Sequence, residues 1–213
     1  MQLLLASKSP RRRELLGQLG FPLTIVDVDV DEKVSDVLPV EQVAEALACL
    51  KADGYLGDIA ADEVLVTADT VVVLGDQVLG KPHDREEATD MLRRLSDKVH
   101  QVYTGVCLRS PKRRVAFTER TNVYFRKLTD EEIDYYIDVY RPFDKAGAYG
   151  IQEWIGMVGI ERIEGCYYNV MGLPVARLYR ELISVYRSFC RMKSFGTLVF
   201  TGDFVNQGAW RTF

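Results

Sequence analysis

Gln2-Leu3-Leu4-Leu5-Ala6-Ser7-Lys8-Ser9-Pro10-Arg11-Arg12-Arg13 reads as a short apolar strand, a serine-rich turn and the first turn of a helix. Ser9 suits the N-cap, because its hydroxyl can accept from an otherwise unpaired amide, and Pro10 suits the first helical position, where the missing N–H costs nothing. Leu15, Leu16 and Leu19 give the helix an apolar face before Gly17 and Gly20 end it. Three arginines in the first turn oppose the helix macrodipole, at a cost of roughly 0.3–1 kcal/mol each. Such a cluster either points into solvent or answers an anion. A strand, a turn and a helix N-terminus with free amides form a ready phosphate site. No Gly-x-x-x-x-Gly-Lys-Ser/Thr loop accompanies it.

Outward from this stretch, strand and helix signals alternate, which predicts an α/β protein. Residues 21–28 read as a strand, and Val43, Ala44, Leu47 and Leu50 predict a helix over residues 40–53 that stops at Gly54. Residues 64–67 and 71–74 read as buried strand, and Gly75-Asp76 turns the chain into Gln77-Val78-Leu79. Asp84 and Glu87 read as a capping box before Ala88, Met91, Leu92 and Leu95. Residues 102–109 and 115–125 read as a hairpin joined by Ser110-Pro111-Lys112-Arg113. A second capping box, Thr129 with Glu132, opens a helix with the stripe Ile133, Tyr136, Ile137 and Tyr140, which Pro142 ends. A glycine-rich stretch over residues 147–165 precedes a last helix from near Pro174 to about Cys190. No repeat, low-complexity tract or linker marks independent domains.

Composition excludes several classes. With 213 residues, 47% of them apolar, the chain can bury a generous core and is not a disordered tail. It has no run of roughly 18 apolar residues, so neither a membrane span nor a secretory leader is expected. A net charge of −4 disfavours a large surface for duplex nucleic acid. Cys49, Cys107, Cys166 and Cys190 are widely spaced, without zinc-ligand spacing, and read as free thiols of a cytoplasmic protein.

Four features carry chemistry beyond the arginine cluster. Asp69-Thr70 places a carboxylate inside buried strand, where it should hold a metal, accept several hydrogen bonds or pair with a cation. Glu32, in the acidic run over residues 27–32, offers a second oxygen ligand to a magnesium-like ion, or is a solvated loop acid. Lys51, on or beside the apolar stripe of its helix, and Lys81, in Gly80-Lys81-Pro82, either snorkel or gather around one polyanion with Asp69 at its centre. In residues 144–152, Gly147 and Gly150 would let the backbone approach a ligand closely. The bland reading of that stretch is a turn-rich loop with a surface Asp144–Lys145 ion pair.

The ordered motifs are Leu5-Ala6-Ser7-Lys8-Ser9-Pro10-Arg11-Arg12, Ala68-Asp69-Thr70-Val71-Val72, Gly80-Lys81-Pro82, Tyr103-Thr104-Gly105-Val106, Asp144-Lys145-Ala146-Gly147-Ala148-Tyr149-Gly150-Ile151-Gln152 and Val170-Met171-Gly172-Leu173-Pro174. Together they resemble the Maf family of nucleoside triphosphate pyrophosphatases, over roughly residues 3–183. The resemblance implies an α/β fold similar to inosine triphosphatase-like enzymes: a mixed twisted sheet with flanking helices and two lobes enclosing a nucleotide cleft. It implies residues 1–185 as the catalytic domain and leaves residues 186–213 as an unmatched tail. It implies that a divalent cation, Mg²⁺ or Mn²⁺, helps water attack the α-phosphorus, with Asp69 as proton acceptor; Glu32 and Asp69 are the expected metal ligands. Ser7, Ser9, Arg11, Arg12, Lys51, Thr70, Lys81 and Gln152 are the implied substrate contacts. Arg11, Thr70 and Gln152 match the positions that separate the branch acting on dTTP and UTP from the branch acting on 7-methyl-GTP. Similar proteins are commonly homodimers.

Two other classes compete. A nucleotide-sensing regulator of cell division would bind in the same pocket with little turnover, but would not need a water-activating carboxylate. A DNA-binding surface built on Arg11, Arg12 and Arg13 has a better local explanation in the phosphate site.

Overall fold

The computed structural model describes residues 1–31 and 38–193. Glu32 and residues 194–213 of the tail lie outside the described residues. Among those described, seven strands form one mixed sheet in the order β2-β1-β3-β5-β6-β7, with β4 paired to β3 off this path. The strands are β1 (Gln2–Ala6), β2 (Leu23–Ile25), β3 (Glu63–Leu74), β4 (Gln77–Leu79), β5 (Val99–Arg109), β6 (Arg114–Phe125) and β7 (Ile160–Glu164). The helices are α1 (Pro10–Gly17), α2 (Val40–Asp53), α3 (Arg85–Leu95), α4 (Asp130–Tyr140), α5 (Trp154–Gly159), α6 (Tyr167–Met171) and α7 (Val175–Lys193). No described helix is long and apolar enough to cross a membrane.

The central strand β3 organises everything else, through the two-residue alternation of its side chains. Val64, Val66 and Ala68 point to one face and pack with Leu3, Leu5, Leu15, Leu16, Leu178 and Leu182 beneath α1 and α7. Further along that face, Val72 joins the core of α3 and α4, with Leu92, Leu95, Ile133 and Ile137. The opposite face carries Leu65, packed with Ala48, Ala52 and Cys107, and then Val71 and Val73, packed with Ala44 and Leu47. That face is covered by α2, whose buried Ala44, Ala48 and Ala52 let it lie close. The Thr67 hydroxyl donates to Ala48 O at 2.6 Å, and a Cβ on Gly105 of β5 would lie 2.3 Å from the carbonyl of Ala44.

One edge of β3 changes partner part-way. It pairs parallel with β1 up to the Ala6↔Thr67 register and antiparallel with β4 from the Val72↔Leu79 register. On the other edge, β5 runs unbroken from Leu65↔Arg109 to Val73↔Gln101. Residues 68–71 therefore have no strand partner on the first edge among the described residues, and β1 runs out at that gap into the Ser7 turn.

Several elements differ from their expected form. Residues 64–67 and 71–74 belong to one strand running through Asp69, because β5 continues across the polar pair. Of residues 21–28 only Leu23–Ile25 stand in register with β1; Val26 N still donates to Leu5 O at 3.0 Å, and the Val26 and Val28 side chains pack under α2. Asp84 caps α3 by accepting from Glu87 N at 2.9 Å, but the Glu87 carboxylate accepts from His83 N at 2.7 Å, so no reciprocal box forms. The Thr129–Glu132 box does form. The glycine-rich stretch holds α5, β7 and α6, and β7 is drawn into the sheet by β6 through pairs such as Val123↔Ile163. The last helix continues to Lys193, past the expected end and into the tail.

His100 of β5 is fully buried, edge-on to Phe125 and Tyr149, and its Nε2 lies 2.8 Å from the Tyr149 hydroxyl. Burial lowers its pKa from 6.5 to about 3. Below the unfolded value the unfolded chain takes a proton that the fold refuses, so stability falls as pH drops from 6.5 toward 3. The slope from this group is about 1.4 kcal/mol per pH unit. Urea midpoints of the native chain and His100→Gln, compared between pH 7 and about pH 4.5, should show that slope only in the native chain. Equal slopes would refute the assignment.

Candidate active site

The gap beside residues 68–71 opens into a cavity of about 410 Å³. Its walls include Ser7, Ser9, Arg11, Arg12, Lys51, Asp69, Thr70, Lys81 and Gln152. These residues come from five separate segments, so the fold brings together every expected site residue among those described.

Strand alternation sends the two polar residues of β3 apart. Asp69 turns toward α2, where Lys51 Nζ lies 3.4 Å from its Oδ1. Thr70 turns toward α1, where its hydroxyl accepts from Arg12 Nη2 at 2.8 Å and lies 2.9 Å from the Thr104 hydroxyl. Thr104 in turn donates to Asn169 O at 2.9 Å. Asp69 is 18% exposed and also has Arg12 Nη2 at 4.0 Å. Of the alternatives for a buried carboxylate, cation pairing is therefore satisfied directly.

The arginine cluster divides its work. Ser9 caps α1 by accepting from Arg12 N, and the Ser7 hydroxyl accepts from Ser9 N at 3.2 Å. Arg12 is buried and donates through Nε to Gly172 O at 2.8 Å, which ties α1 to the end of α6. Arg11 reaches across the cavity to Asp144 Oδ2 at 3.1 Å. Arg13 alone of the three is exposed, so they form no basic face. Thr70 touches Arg12, whereas Arg11 and Gln152 stand on other walls; the three positions expected to set specificity share a cavity but no hydrogen bond.

The Asp144–Lys145 pair departs from the bland reading of it. Lys145 is 8% exposed in its side chain and bridges Asp144 Oδ1, at 2.7 Å, to Glu153 Oε1, at 3.1 Å. Lys145, then Arg11, holds the Asp144 carboxyl below its ordinary value against the opposing effect of burial, the largest single influence on it. Sequence reasoning read Lys145 only as half of a surface pair or part of a loop motif, and gave Glu153 no role although it directly follows Gln152. From the acidic run over residues 27–32 it singled out only Glu32, whereas Asp27 and Asp29 line the cavity. Gly147 and Gly150 serve packing within the protein: at φ +68°, a Cβ on Gly147 would meet Val72 at 3.0 Å, and one on Gly150 would meet the Glu153 carboxylate at 2.9 Å.

No group of three or more His, Cys, Asp or Glu able to hold a metal occurs among the described residues. The cavity nevertheless presents hard oxygen donors in Asp69, Asp27 and Asp29. The three do not gather into one ligand group, but a magnesium-like ion is commonly held by only one or two carboxylates and completed by substrate phosphates, and Asp69 is a donor of that kind.

A family model described as Maf-like protein matches residues 2–185. This chain belongs to the Maf family. Among its relatives, proteins of Parabacteroides distasonis and Phocaeicola vulgatus are 52% and 50% identical over 182 residues, covering 85% of this chain and 94% of each relative. One from Porphyromonas gingivalis is 50% identical over 184 residues, 85% of this chain and 92% of its own. All three carry the name dTTP/UTP pyrophosphatase. Among solved structures, the Staphylococcus aureus Ham1 protein overlaps 59% of this Maf-family chain and 72% of its own, at 15% identity and a TM-score of 0.42.

Proposed function

We propose that this chain is a nucleoside triphosphate pyrophosphatase that converts dTTP and UTP to the nucleoside monophosphate and pyrophosphate. The observation that carries the reading is the Asp69 carboxylate at an open sheet edge with Lys51 and Arg12 beside it. The names of relatives about half identical over most of the chain support the same substrates. The cavity is read as a cleft between two lobes. One is built on β1, α1 and α7, the other on β4, α3 and α4, and the separate cores on either side of residues 68–71 support that division.

In this reading the triphosphate lies across the N-terminal end of α1, with Ser7, Ser9, Arg11 and Arg12 on one side and Lys51 and Lys81 on the other. Their charge offsets the negative charge that builds on phosphate oxygens as the α–β bond breaks. Asp69 takes the proton of the water that attacks the α-phosphorus. Arg12, braced by Thr70 and Gly172, keeps its donors at fixed positions, so little reorganisation accompanies reaction. Gln152 meets the imide edge of uracil or thymine, since an amide can both accept from N3–H and donate to a ring carbonyl. Asp69, with Glu32 of the acidic run over residues 27–32 as the expected second ligand, would hold a divalent cation. When bound, it neutralises phosphate charge and polarises the P–O bond.

A role as a nucleotide sensor is not favoured, because sensing needs no carboxylate beside the phosphate cradle. The test is a panel of nucleoside triphosphates with Mg²⁺ or Mn²⁺, scored separately for pyrophosphate and orthophosphate. dTTP and UTP should be turned over best, with pyrophosphate as product. Orthophosphate as the product, or no preference for pyrimidines, would overturn the reading.

A further inference from the structure

Gln152 lines the cavity from an exposed turn and has no hydrogen bond to the described residues, so its own contacts do not fix it. Its neighbours are held firmly. The buried Gly150 N–H donates to the Tyr136 hydroxyl at 3.0 Å. That hydroxyl donates to Glu153 Oε2, and Glu153 Oε1 accepts from Lys145 Nζ at 3.1 Å. Glu153 N returns to Gly150 O at 3.0 Å, which closes the turn on itself. A Cβ on Gly150 would lie 3.0 Å from Gln152 Nε2 and 2.9 Å from the Glu153 carboxyl carbon, so both side chains fold over that glycine. Tyr136 is fully buried on α4, so the hydroxyl is fixed by the core that holds its ring. Burial first, then Glu153, pushes the Tyr136 hydroxyl upward, which keeps it the donor.

We propose that Glu153 is a positioning residue for base selection: clamped between the Lys145 ammonium and the Tyr136 hydroxyl, it sets the Gly150–Glu153 turn that presents Gln152 to the cavity. The inference rests on Gln152 reading the pyrimidine edge, and adds the device that keeps it in place. Without the clamp, the Gly150–Glu153 turn that carries Gln152 would spread over several backbone conformations, and ordering it would weaken binding of the base that Gln152 reads. The carboxylate also suits the setting: a buried lysine between two acids is costly to leave half paired, and removing Glu153 leaves Lys145 to Asp144 alone and loosens the turn.

The test uses the full chain and two variants, Tyr136→Phe, which removes one hydroxyl and leaves the ring, and Glu153→Gln, which keeps the shape and removes the charge facing Lys145. Each should lower the ratio of kcat/KM for UTP to that for GTP by about tenfold, the worth of one well-placed hydrogen bond. In a Gln152→Ala background neither change should alter the ratio further, because nothing is left to position. Calorimetric binding of the uncleavable α,β-imido analogues of UTP and GTP gives the same ratio without turnover. It therefore tests the clamp even if pyrophosphate release, and with it the proposed activity, fails. A purely structural role would lower both nucleotides equally. Equal losses, a native ratio of one, or the same shift in the Gln152→Ala background would each overturn the proposal.

Discussion

Asp69→Asn should lower kcat for pyrophosphate release by ~10²-fold or more while nucleotide binding stays within about tenfold. The asparagine has the same shape, so β3, paired through Asp69↔Gly105 and flanked by α2, has no reason to move. What changes is the chemistry of one oxygen. The amide cannot take a proton from the attacking water, and it leaves Lys51 Nζ, 3.4 Å away, facing a neutral group. Binding can improve, because the cavity loses a negative charge beside a polyanion. The measurement is kcat from the pyrophosphate assay together with Kd for an uncleavable triphosphate analogue. Retention of more than about a tenth of the native kcat would remove Asp69 as the base.

The reason Asp69 could be singled out from sequence, while its surroundings could not, lies in how each signal is written. A carboxylate in an apolar strand is a local anomaly, visible within a few residues as Ala68-Asp69-Thr70-Val71. The helix start at Ser9-Pro10 and the Thr129–Glu132 box are equally local, and both formed as expected. Residues 160–164 carry no clean alternation, and β7 exists because β6 offers its edge. Glu87 matches the spacing of a capping box, yet its carboxylate accepts from His83 N. Lys145 looked like half of a surface pair because its second partner, Glu153, only closes on it once the turn folds. The Arg11–Asp144 contact spans 133 positions in the chain, and no periodicity announces such a pair. Elements came through where short-range chemistry dictates them, and the polar network behind the site did not, because it is made by tertiary folding.

Gly105→Ala should cost about 2–3 kcal/mol of stability and about 10²-fold in kcat/KM, although residue 105 does not line the cavity. Gly105 lies opposite Asp69 across the β3–β5 ladder, on the face covered by α2. A methyl there would sit 2.3 Å from the carbonyl carbon and oxygen of Ala44 and from the amide of Glu45. Carbon atoms in contact sit about 3.5–4.0 Å apart, so the helix has to withdraw by on the order of 1 Å. All three clashing atoms are backbone, so no side-chain rotation relieves them. The same helix carries Lys51, whose 3.4 Å approach to Asp69 would open with it. Withdrawal of α2 also breaks a buried hydrogen bond, which the Thr67 hydroxyl donates to Ala48 O at 2.6 Å. The stability loss corresponds to a fall in Tm of roughly 5–10 °C for a chain of this size. Gly17→Ala is the control: a methyl there meets nothing within 4 Å, and the change should stay within about 0.5 kcal/mol of the native chain. Thermal melts and the pyrophosphate assay on both variants decide the matter. A Gly105→Ala protein with native Tm and native kcat/KM would mean that α2 need not lie this close for Lys51 to act.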